Sequence, residues 1–320
     1  MPLLEINGLH VSYALSHNRK VQAVNGVSLA VERGESVGLV GESGCGKSTL
    51  AAAVLRLVPA GRGLVSYNGV DVLGLRGRDL FKYRAKMQMV FQDPYGSLNP
   101  RLSVGSALEE CLAVHNIARR SERRSMVTEL LTTVGLEAAH AARYPHEFSG
   151  GQRQRIGIAR ALAVNPEFVI ADEPVSALDV SIQAQILNLL KDIQENKNFS
   201  ILFIAHDLAV VRYMCSRIYV MYLGEIMESG ATGDVYKRSA HPYTRALLAA
   251  VPALDRVRSR HSAKRPVVEG EMPSLSANIG GCPFHPRCPM AKAICKEDAP
   301  KMKKVADGHF SRCHFAGEII

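Results

Sequence analysis

The chain has 320 residues, an apolar share of 47% and a formal net charge of +9, from 39 basic and 30 acidic residues. No uninterrupted apolar stretch reaches the ~18 residues that cross a bilayer and no signal peptide is evident, which excludes a membrane-spanning or secreted protein and predicts a cytoplasmic one. The seven cysteines therefore argue against a disulfide framework, and the scattered basic charge favours a solvated surface over a nucleic-acid groove.

The N-terminal elements predict strands that lead into a glycine-rich loop. Residues 3–13 and 21–31 alternate apolar and polar positions, as strands do, and 35–40 is a short apolar strand. Residues 47–58 have the apolar spacing of a helix that stops at Pro59. This strand–loop–helix order is the context that a phosphate-binding loop requires.

The loop between that strand and helix fits the pattern G-x-x-x-x-G-K-[ST]; it reads Gly41-Glu42-Ser43-Gly44-Cys45-Gly46-Lys47-Ser48-Thr49. Backbone N–H groups of such a loop point at phosphates, Lys47 reaches the β- and γ-phosphates, and Ser48 holds Mg²⁺. Cys45 is expected to be sensitive to alkylation rather than catalytic. The alternative, a glycine turn without a ligand, is disfavoured by the flanking strand and helix.

Helical spacing dominates the middle of the chain. After strands at 64–67 and 87–91, the pattern turns helical from about Ser97 to Phe148, which predicts an inserted helical subdomain of about 97–163. Ser149 is an expected N-cap for a helix over 152–163. The run Ser149-Gly150-Gly151-Gln152 offers a hydroxyl, bare amides and a helix N-terminus, which together suit an anion.

An apolar strand ending in two carboxylates follows, Phe168-Val169-Ile170-Ala171-Asp172-Glu173. A carboxylate at the end of a buried strand is costly unless it meets a cation, so Asp172 is expected to help hold Mg²⁺. A helix over 181–196, a buried strand over 200–205 that leads to His206, and a strand over 218–221 come next. Strands alternating with helices predict an α/β fold with a mostly parallel sheet.

The C-terminal part changes in composition. Residues 252–281 are basic and rich in Pro, Ser and Gly, which predicts a linker, and 282–320 is a Cys-rich module. Four cysteines in this module follow the spacing C-x₅-C-x₆-C-x₁₇-C: Cys282, Cys288, Cys295 and Cys313. Four thiolates in a segment with little core of its own suggest a metal site that cross-links the segment. The tight C-x₂-C pairs of common zinc modules are missing. Zinc and free or oxidised thiols stay open as alternatives.

Taken together, the phosphate loop, the glycine-serine run before the acidic strand and the two carboxylates resemble the ATP-binding subunits of ABC transporters. The resemblance implies a phosphate-loop NTPase at 1–251 with an N-terminal antiparallel β-subdomain, a mostly parallel core sheet, the helical insert and the small Cys-rich C-terminal extension. It also implies that ATP and Mg²⁺ are bound and that ATP is hydrolysed.

Further site residues match the family one at a time. Glu173 matches the general base that polarises the attacking water, and His206 the histidine that contacts the γ-phosphate. Gln92 matches the glutamine that senses the γ-phosphate and is expected to assist in holding Mg²⁺. Tyr13 matches the aromatic residue that stacks on adenine, and Asp179, in Ser176-Ala177-Leu178-Asp179, matches the loop that crosses a dimer interface.

The glycine-serine run implies a second subunit. In the family this element closes over ATP held by the other subunit, so Ser149, Gly150, Gly151 and Gln152 are expected to serve a partner's nucleotide. Two ATP molecules would then be sandwiched in a dimer.

Other segments look like the ATPases of dipeptide and oligopeptide importers, closest to the second of their two ATPase subunits; among them are 91–101, 144–148, 241–248 and 281–289. The resemblance implies a heterodimer with a second ATPase, two membrane permease subunits, an extracytoplasmic binding protein, no nucleic acid, and a peripheral position on the cytoplasmic face of the inner membrane. It also implies a [4Fe–4S] cluster on the four C-terminal cysteines. Nickel or sugar import is the nearest alternative, ahead of an exporter or a soluble ABC ATPase acting on the ribosome or nucleic acid.

Overall fold

A computed structural model of the chain describes residues 1–14, 20–93, 95–250, 272–275, 277 and 279–318. Most of the predicted linker over 252–281 falls outside these residues. The strands are, in chain order, β1 (Leu4–Ala14), β2 (Lys20–Val31), β3 (Ser36–Val40), β4 (Arg62–Tyr67), β5 (Val70–Asp71), β6 (Met87–Val90), β7 (Phe168–Asp172), β8 (Ser200–Ala205), β9 (Arg217–Tyr222), β10 (Glu225–Ala231), β11 (Lys303–Ala306) and β12 (His309–Ser311).

The helices alternate with these strands. The α-helices are α1 (Lys47–Val54), α2 (Gly77–Lys86), α3 (Val104–Val114), α4 (Arg123–Thr133), α5 (Gly150–Leu162), α6 (Val180–Lys197), α7 (Leu208–Met214), α8 (Thr232–Lys237), α9 (Pro242–Ala250) and α10 (Ala293–Glu297). The 3₁₀ turns are η1 (Ala138–Ala142), η2 (Pro145–Glu147), η3 (His285–Arg287) and η4 (Ala316–Glu318). In the described part of the chain no helix combines the length and apolarity needed to span a bilayer.

The chain divides into two compact units built from separate stretches. The phosphate-loop unit consists of Pro2–Ala30, Ser36–Leu73 and the described residues of Ile204–Ile320. The helical unit consists of Met1, Val31–Glu35 and Gly74–Phe203. Both Asp172 and Glu173 therefore belong to a different unit from the glycine-rich loop.

One sheet of the phosphate-loop unit has the strand order β2-β1-β4-β5, with β4 antiparallel to both β1 and β5. The burial pattern of β1 changes phase at Gly8, which has a φ of 55°. Its register with β4 shifts between Asn7 and His10. This bulge keeps the apolar side chains on both sides of it, such as Ile6 and Leu9, on the buried face.

A second run of strands in the same unit has the order β11-β12-β10-β9-β3. Strands β3 and β9 are parallel, whereas β9, β10, β12 and β11 pair antiparallel. The sheet is therefore mixed, because the C-terminal strands add an antiparallel edge. Val37, Leu39 and Val40 of β3 are fully buried, as expected of a parallel strand covered on both faces.

The helical unit follows the predicted spacing. Leu108, Leu112, Leu131 and Val134 are fully buried and Leu130 is half-buried. Strands β6 and β7 pair in parallel, and every residue of β7 is buried. The predicted N-cap is confirmed, because the Ser149 side chain accepts a hydrogen bond from the Gln152 N–H at the start of α5.

One predicted helix is too long. Leu55 and Val58 continue the apolar spacing of α1, yet the helix ends at Val54. Arg56 has a φ of 57°, a left-handed conformation that an α-helix does not accept. The end of α1 is therefore set by backbone geometry before Pro59 is reached.

Candidate functional site

The glycine-rich loop connects β3 to α1 in the phosphate-loop unit, in the context that its pattern predicts. A Cβ atom on Gly41 would lie 2.2 Å from the carbonyl oxygen of Met221, and one on Gly46 would lie 2.1 Å from that of Ala23. Gly46 also has a φ of 109° and Gly44 a φ of 80°. The loop path therefore requires glycine at these positions, both for close approach and for backbone conformation.

Lys47 shapes this loop from within. Its side chain is 4% exposed, and its Nζ donates to the carbonyl oxygens of Gly41 at 2.7 Å and Glu42 at 2.9 Å. The N-cap of α1 is Gly46, which has no side chain that could bond to the first N–H groups of the helix. A buried ammonium group beside a helix N-terminus suits a polyanion such as a triphosphate.

Cys45 points into the protein. Its side chain is fully buried, and burial raises the pKa of its thiol, although nearby Lys47 lowers it. A buried thiol with a raised pKa reacts slowly, because the thiolate is the nucleophile. This burial argues against the expected sensitivity of Cys45 to alkylation, which stays a prediction.

The acidic strand supplies two carboxylates to the helical unit. Asp172 is buried at the end of β7. Glu173 follows with a φ of 45°, a strained conformation for a non-glycine residue of the kind that clusters at functional sites. The Gln92 side-chain amide donates to Glu173 Oε2 at 3.1 Å, so the structure brings together two residues that the sequence assigns to the same reaction.

The glycine-serine run lies at the start of α5, also in the helical unit. Ser149 and Gln152 form a capping box, in which each side chain bonds to the backbone N–H of the other. Ser149 is exposed and Gly150 and Gly151 are half-buried. A Cβ atom on Gly151 would lie 2.6 Å from Ile182 Cγ2, so a larger residue would require the Ile182 side chain on α6 to move.

The remaining predicted residues lie on the surfaces of their units. Ser48, Tyr13 and His206 are exposed in the phosphate-loop unit, and Thr49 there is half-buried. Asp179 is exposed in the helical unit, at the N-cap of α6.

The four C-terminal cysteines converge. They line one small cavity of about 20 Å³, together with His241, His285 and other side chains. All four are free thiols, and burial raises the pKa of Cys282 to about 11, with smaller contributions from the neighbouring thiols. No group of three or more His, Cys, Asp or Glu side chains within the described residues is arranged to hold a metal ion.

Two contacts to the glycine-rich loop were not predicted. Arg287, between the first two module cysteines, forms an ion pair with Glu42, and the Tyr243 hydroxyl accepts a hydrogen bond from the Glu42 N–H at 3.0 Å. Both residues lie in segments that the sequence marks only by resemblance, 241–248 and 281–289. Neither periodicity nor spacing relates these segments to the phosphate loop, so no sequence signal indicated the contacts.

Comparison with known proteins matches two families to this chain. The family described as ABC transporter matches residues 24–176, and the family described as oligopeptide/dipeptide transporter, C-terminal region, matches residues 227–295. The oligopeptide transport ATP-binding protein AppF of Bacillus subtilis is 52% identical over 297 residues, which cover 92% of this chain and 89% of AppF. YkfD of the same bacterium is 47% identical over 315 residues, which cover 98% of this chain and 95% of YkfD.

Solved structures give the same result for the fold. The ATP-binding cassette MJ0796, in a dimeric post-hydrolysis state bound to ADP and Pi, is 31% identical with a TM-score of 0.64 and covers 72% of this chain and 98% of its own. Clostridium perfringens cbiO1, part of the ABC transporter complex cbiONQ, is 27% identical with a TM-score of 0.65 over 74% and 91% of the two chains. The chain therefore belongs to the ATP-binding, ATP-hydrolysing proteins of ABC transporters, in the branch that carries the oligopeptide/dipeptide C-terminal region.

Proposed function

We propose that this chain is the ATPase subunit of a peptide importer and that its ATP hydrolysis drives the uptake of dipeptides or oligopeptides. The observation that carries this proposal is the match of residues 227–295 to the oligopeptide/dipeptide transporter C-terminal region, next to the ABC transporter match. Relatives whose names specify oligopeptide transport span nearly the whole chain, which supports the same substrate class.

Within this function, Lys47 and the amides of the glycine-rich loop bind the phosphates, and Tyr13 stacks on the adenine. Mg²⁺ is held by Ser48 and Asp172, with Gln92 assisting. Carboxylate and hydroxyl oxygens are the ligands that Mg²⁺ prefers, which supports this choice.

Glu173 orients and deprotonates the attacking water, and His206 contacts the γ-phosphate. The hydrogen bond from Gln92 to Glu173 supports a role for both in the same step, since it orients the carboxylate. Charge developing on the transferred phosphoryl group would be neutralised mainly by Lys47 and the loop amides.

The second half of the site comes from a partner subunit, in a heterodimer with a related ATPase. The exposed start of α5 supports this proposal, because Ser149, Gly150, Gly151 and Gln152 present a helix N-terminus that an incoming triphosphate would find accessible. Asp179, exposed at the start of α6, would contact the same partner.

A groove in the helical unit is our candidate for the permease contact. It has a volume of about 330 Å³, and its lining includes Leu98, Leu102, Val114 and Arg160. Apolar side chains around a few polar groups suit the end of an amphipathic helix. A permease helix bound there would hold the subunit at the cytoplasmic face of the membrane, with a substrate-binding protein on the other side.

The C-terminal cysteines would hold a [4Fe–4S] cluster. One observation supports this proposal: four buried or half-buried thiols line one cavity, although no three of them are arranged to hold a single metal ion in the described structure. Cys₄ ligation suits such a cluster, which would cross-link the module.

Metal analysis tests the cluster. Protein purified without oxygen should absorb near ~400 nm and contain iron and sulfide, and Cys288→Ser should lose both signals. A colourless protein loaded with zinc would contradict the cluster and favour the zinc alternative.

Reconstitution tests the transport function. The chain would be co-expressed with the permeases and second ATPase that co-purify with it, and placed in liposomes. Binding protein loaded with a peptide should stimulate ATP hydrolysis, and Glu173→Gln should abolish that stimulation. Stimulation by a nickel chelate or an oligosaccharide, with none by peptides, would replace the proposed substrate while leaving the ATPase assignment intact.

A further inference from the structure

A salt bridge connects the Cys-rich module to the glycine-rich loop within the phosphate-loop unit. Arg287 lies in η3, between Cys282 and Cys288, and its Nη1 donates to both carboxylate oxygens of Glu42 at 3.0 Å each. The Arg287 side chain is 9% exposed and that of Glu42 is 28% exposed. The pair is thus mostly removed from water, where an ion pair is screened less than on an open surface.

The surroundings of this pair are rigid. The Arg287 guanidinium lies 5.9 Å from the centre of the Tyr222 ring. Tyr222, Tyr243 and Phe284 are buried and pack on one another, with ring centres 4.7 to 5.4 Å apart. The Tyr243 hydroxyl also accepts the Glu42 N–H, so both the backbone and the side chain of Glu42 are held by residues that follow β9.

Glu42 is a sensitive position for charge. Its carbonyl oxygen accepts a hydrogen bond from Lys47 Nζ, so a displacement of Glu42 also displaces the lysine that binds phosphates. Its carboxylate is a negative charge within a loop whose ligand is a polyanion. Without Arg287 this negative charge would repel the negatively charged triphosphate, because partial burial leaves the repulsion between like charges only partly screened.

We propose that Arg287 is a positioning residue for nucleotide binding: it neutralises Glu42 and fixes the glycine-rich loop, so that the C-terminal module sets the affinity for ATP. The proposal rests on the ATP binding described above. Arg287 acts through Glu42 and contributes no atom to the reaction. Since Arg287 directly precedes Cys288, a change at the cysteine cavity would reach the nucleotide by this route.

The test is a double-mutant cycle read out as nucleotide affinity. A fluorescent ATP analogue would be titrated into the full chain in the absence of Mg²⁺, so that turnover does not contribute. Arg287→Met leaves the carboxylate unpaired and is expected to weaken binding about tenfold, while Glu42→Gln leaves an unpaired guanidinium and is expected to tighten it. The double variant should return to within about threefold of the wild type.

Ionic strength and the conservative variant Arg287→Lys provide two further tests of an electrostatic effect on nucleotide affinity. The effect of Arg287→Met should shrink as ionic strength rises, because it is electrostatic. Arg287→Lys keeps the charge and should recover most of the affinity. If Arg287→Met does not fold, the comparison of Glu42→Gln with the double variant still tests the proposal. Glu42→Gln should bind the analogue more tightly than the double variant, and equal affinities would contradict the role of Arg287.

Arg312 offers a matched control. It directly precedes Cys313 and forms an ion pair with Glu225 of β10 at 2.9 Å, but it makes no ion pair or hydrogen bond with a residue of the glycine-rich loop within the described structure. Arg312→Met should therefore leave nucleotide affinity unchanged while loosening the same module.

Three results would overturn the proposal. They are an equal loss of nucleotide affinity in Arg287→Met and Arg312→Met, an unchanged affinity in Arg287→Met, or a double variant that binds nucleotide more weakly than Arg287→Met. Lys47→Ala, which lacks the phosphate-binding lysine, is the negative control for nucleotide binding. If the wild-type chain bound nucleotide no better than this control, the result would instead contradict the ATPase assignment.

Discussion

Replacing Glu228 by Gln should destabilise the phosphate-loop unit more than its small change in shape suggests. Glu228 is fully buried on β10. Its Oε1 accepts the Ala240 N–H at 2.7 Å and lies 2.7 Å from His309 Nε2, while its Oε2 accepts the His241 N–H at 3.1 Å. One carboxylate thus links β10 to the segment before α9 and to β12.

The expected magnitude follows from these three bonds. A glutamine oxygen can replace Oε1 and keep two of them, but the glutamine NH₂ would then face the His241 N–H, donor against donor. A buried polar group left without its partner costs about 1–3 kcal/mol, and two donors are left here. We expect a loss of about 2–6 kcal/mol, which at about 2–4 °C per kcal/mol lowers the midpoint of thermal unfolding by about 4–24 °C.

Urea unfolding and hydrogen exchange of the β12 amides measure this effect. Glu225→Gln is the control, because Glu225 lies on the same strand but pairs with Arg312 and has a side chain that is 16% exposed. We expect about 1 kcal/mol or less for the control. If Glu228→Gln were no less stable than Glu225→Gln, the carboxylate would not be what joins the module to the sheet.

Three further predictions concern the site and its pH dependence. Lys47→Ala should lose at least ~100-fold in ATP-analogue affinity, measured at equilibrium, since it removes both the phosphate-binding charge and the hydrogen bonds that shape the loop. Glu173→Gln should trap an ATP-bound dimer with little phosphate release, seen by size-exclusion chromatography with ATP; wild-type turnover would remove Glu173 from the role of base. Burial lowers the pKa of His241 to about 3, whereas the unfolded chain takes up this proton near pH 6.5. Stability should therefore fall as pH decreases from about 6.5 to about 3, by up to about 1.4 kcal/mol per pH unit, and His241→Phe should flatten that slope in urea titrations.

Local structure was largely predictable because it depends on neighbouring residues. The strand at Ser200–Ala205 has the predicted bounds, and the Ser149 cap forms as expected. Both rest on interactions within a few residues, namely a continuous apolar run and a side chain bonding to the first turn of its own helix. The left-handed Arg56 was not predictable, since the apolar spacing continues past it.

Contacts distant in sequence were not predictable. Arg287 and Glu42 are 245 positions apart, and no periodicity or spacing connects them. The cysteines show both outcomes. The grouping of four in the tail suggested a common site, and these four line one cavity. The burial of Cys45, in contrast, depends on packing that its loop sequence does not specify.

The pairing of β10 with β12 has a consequence for how this protein is made. Strand β10 pairs with β9 after a short turn, but its other edge is completed only by His309–Ser311, much later in the chain. As the polypeptide leaves the ribosome, that edge stays open until the last segment emerges, and an open edge readily joins another chain. A chain that terminates between these strands would keep this edge of β10 unpaired, which favours aggregation of the truncated product.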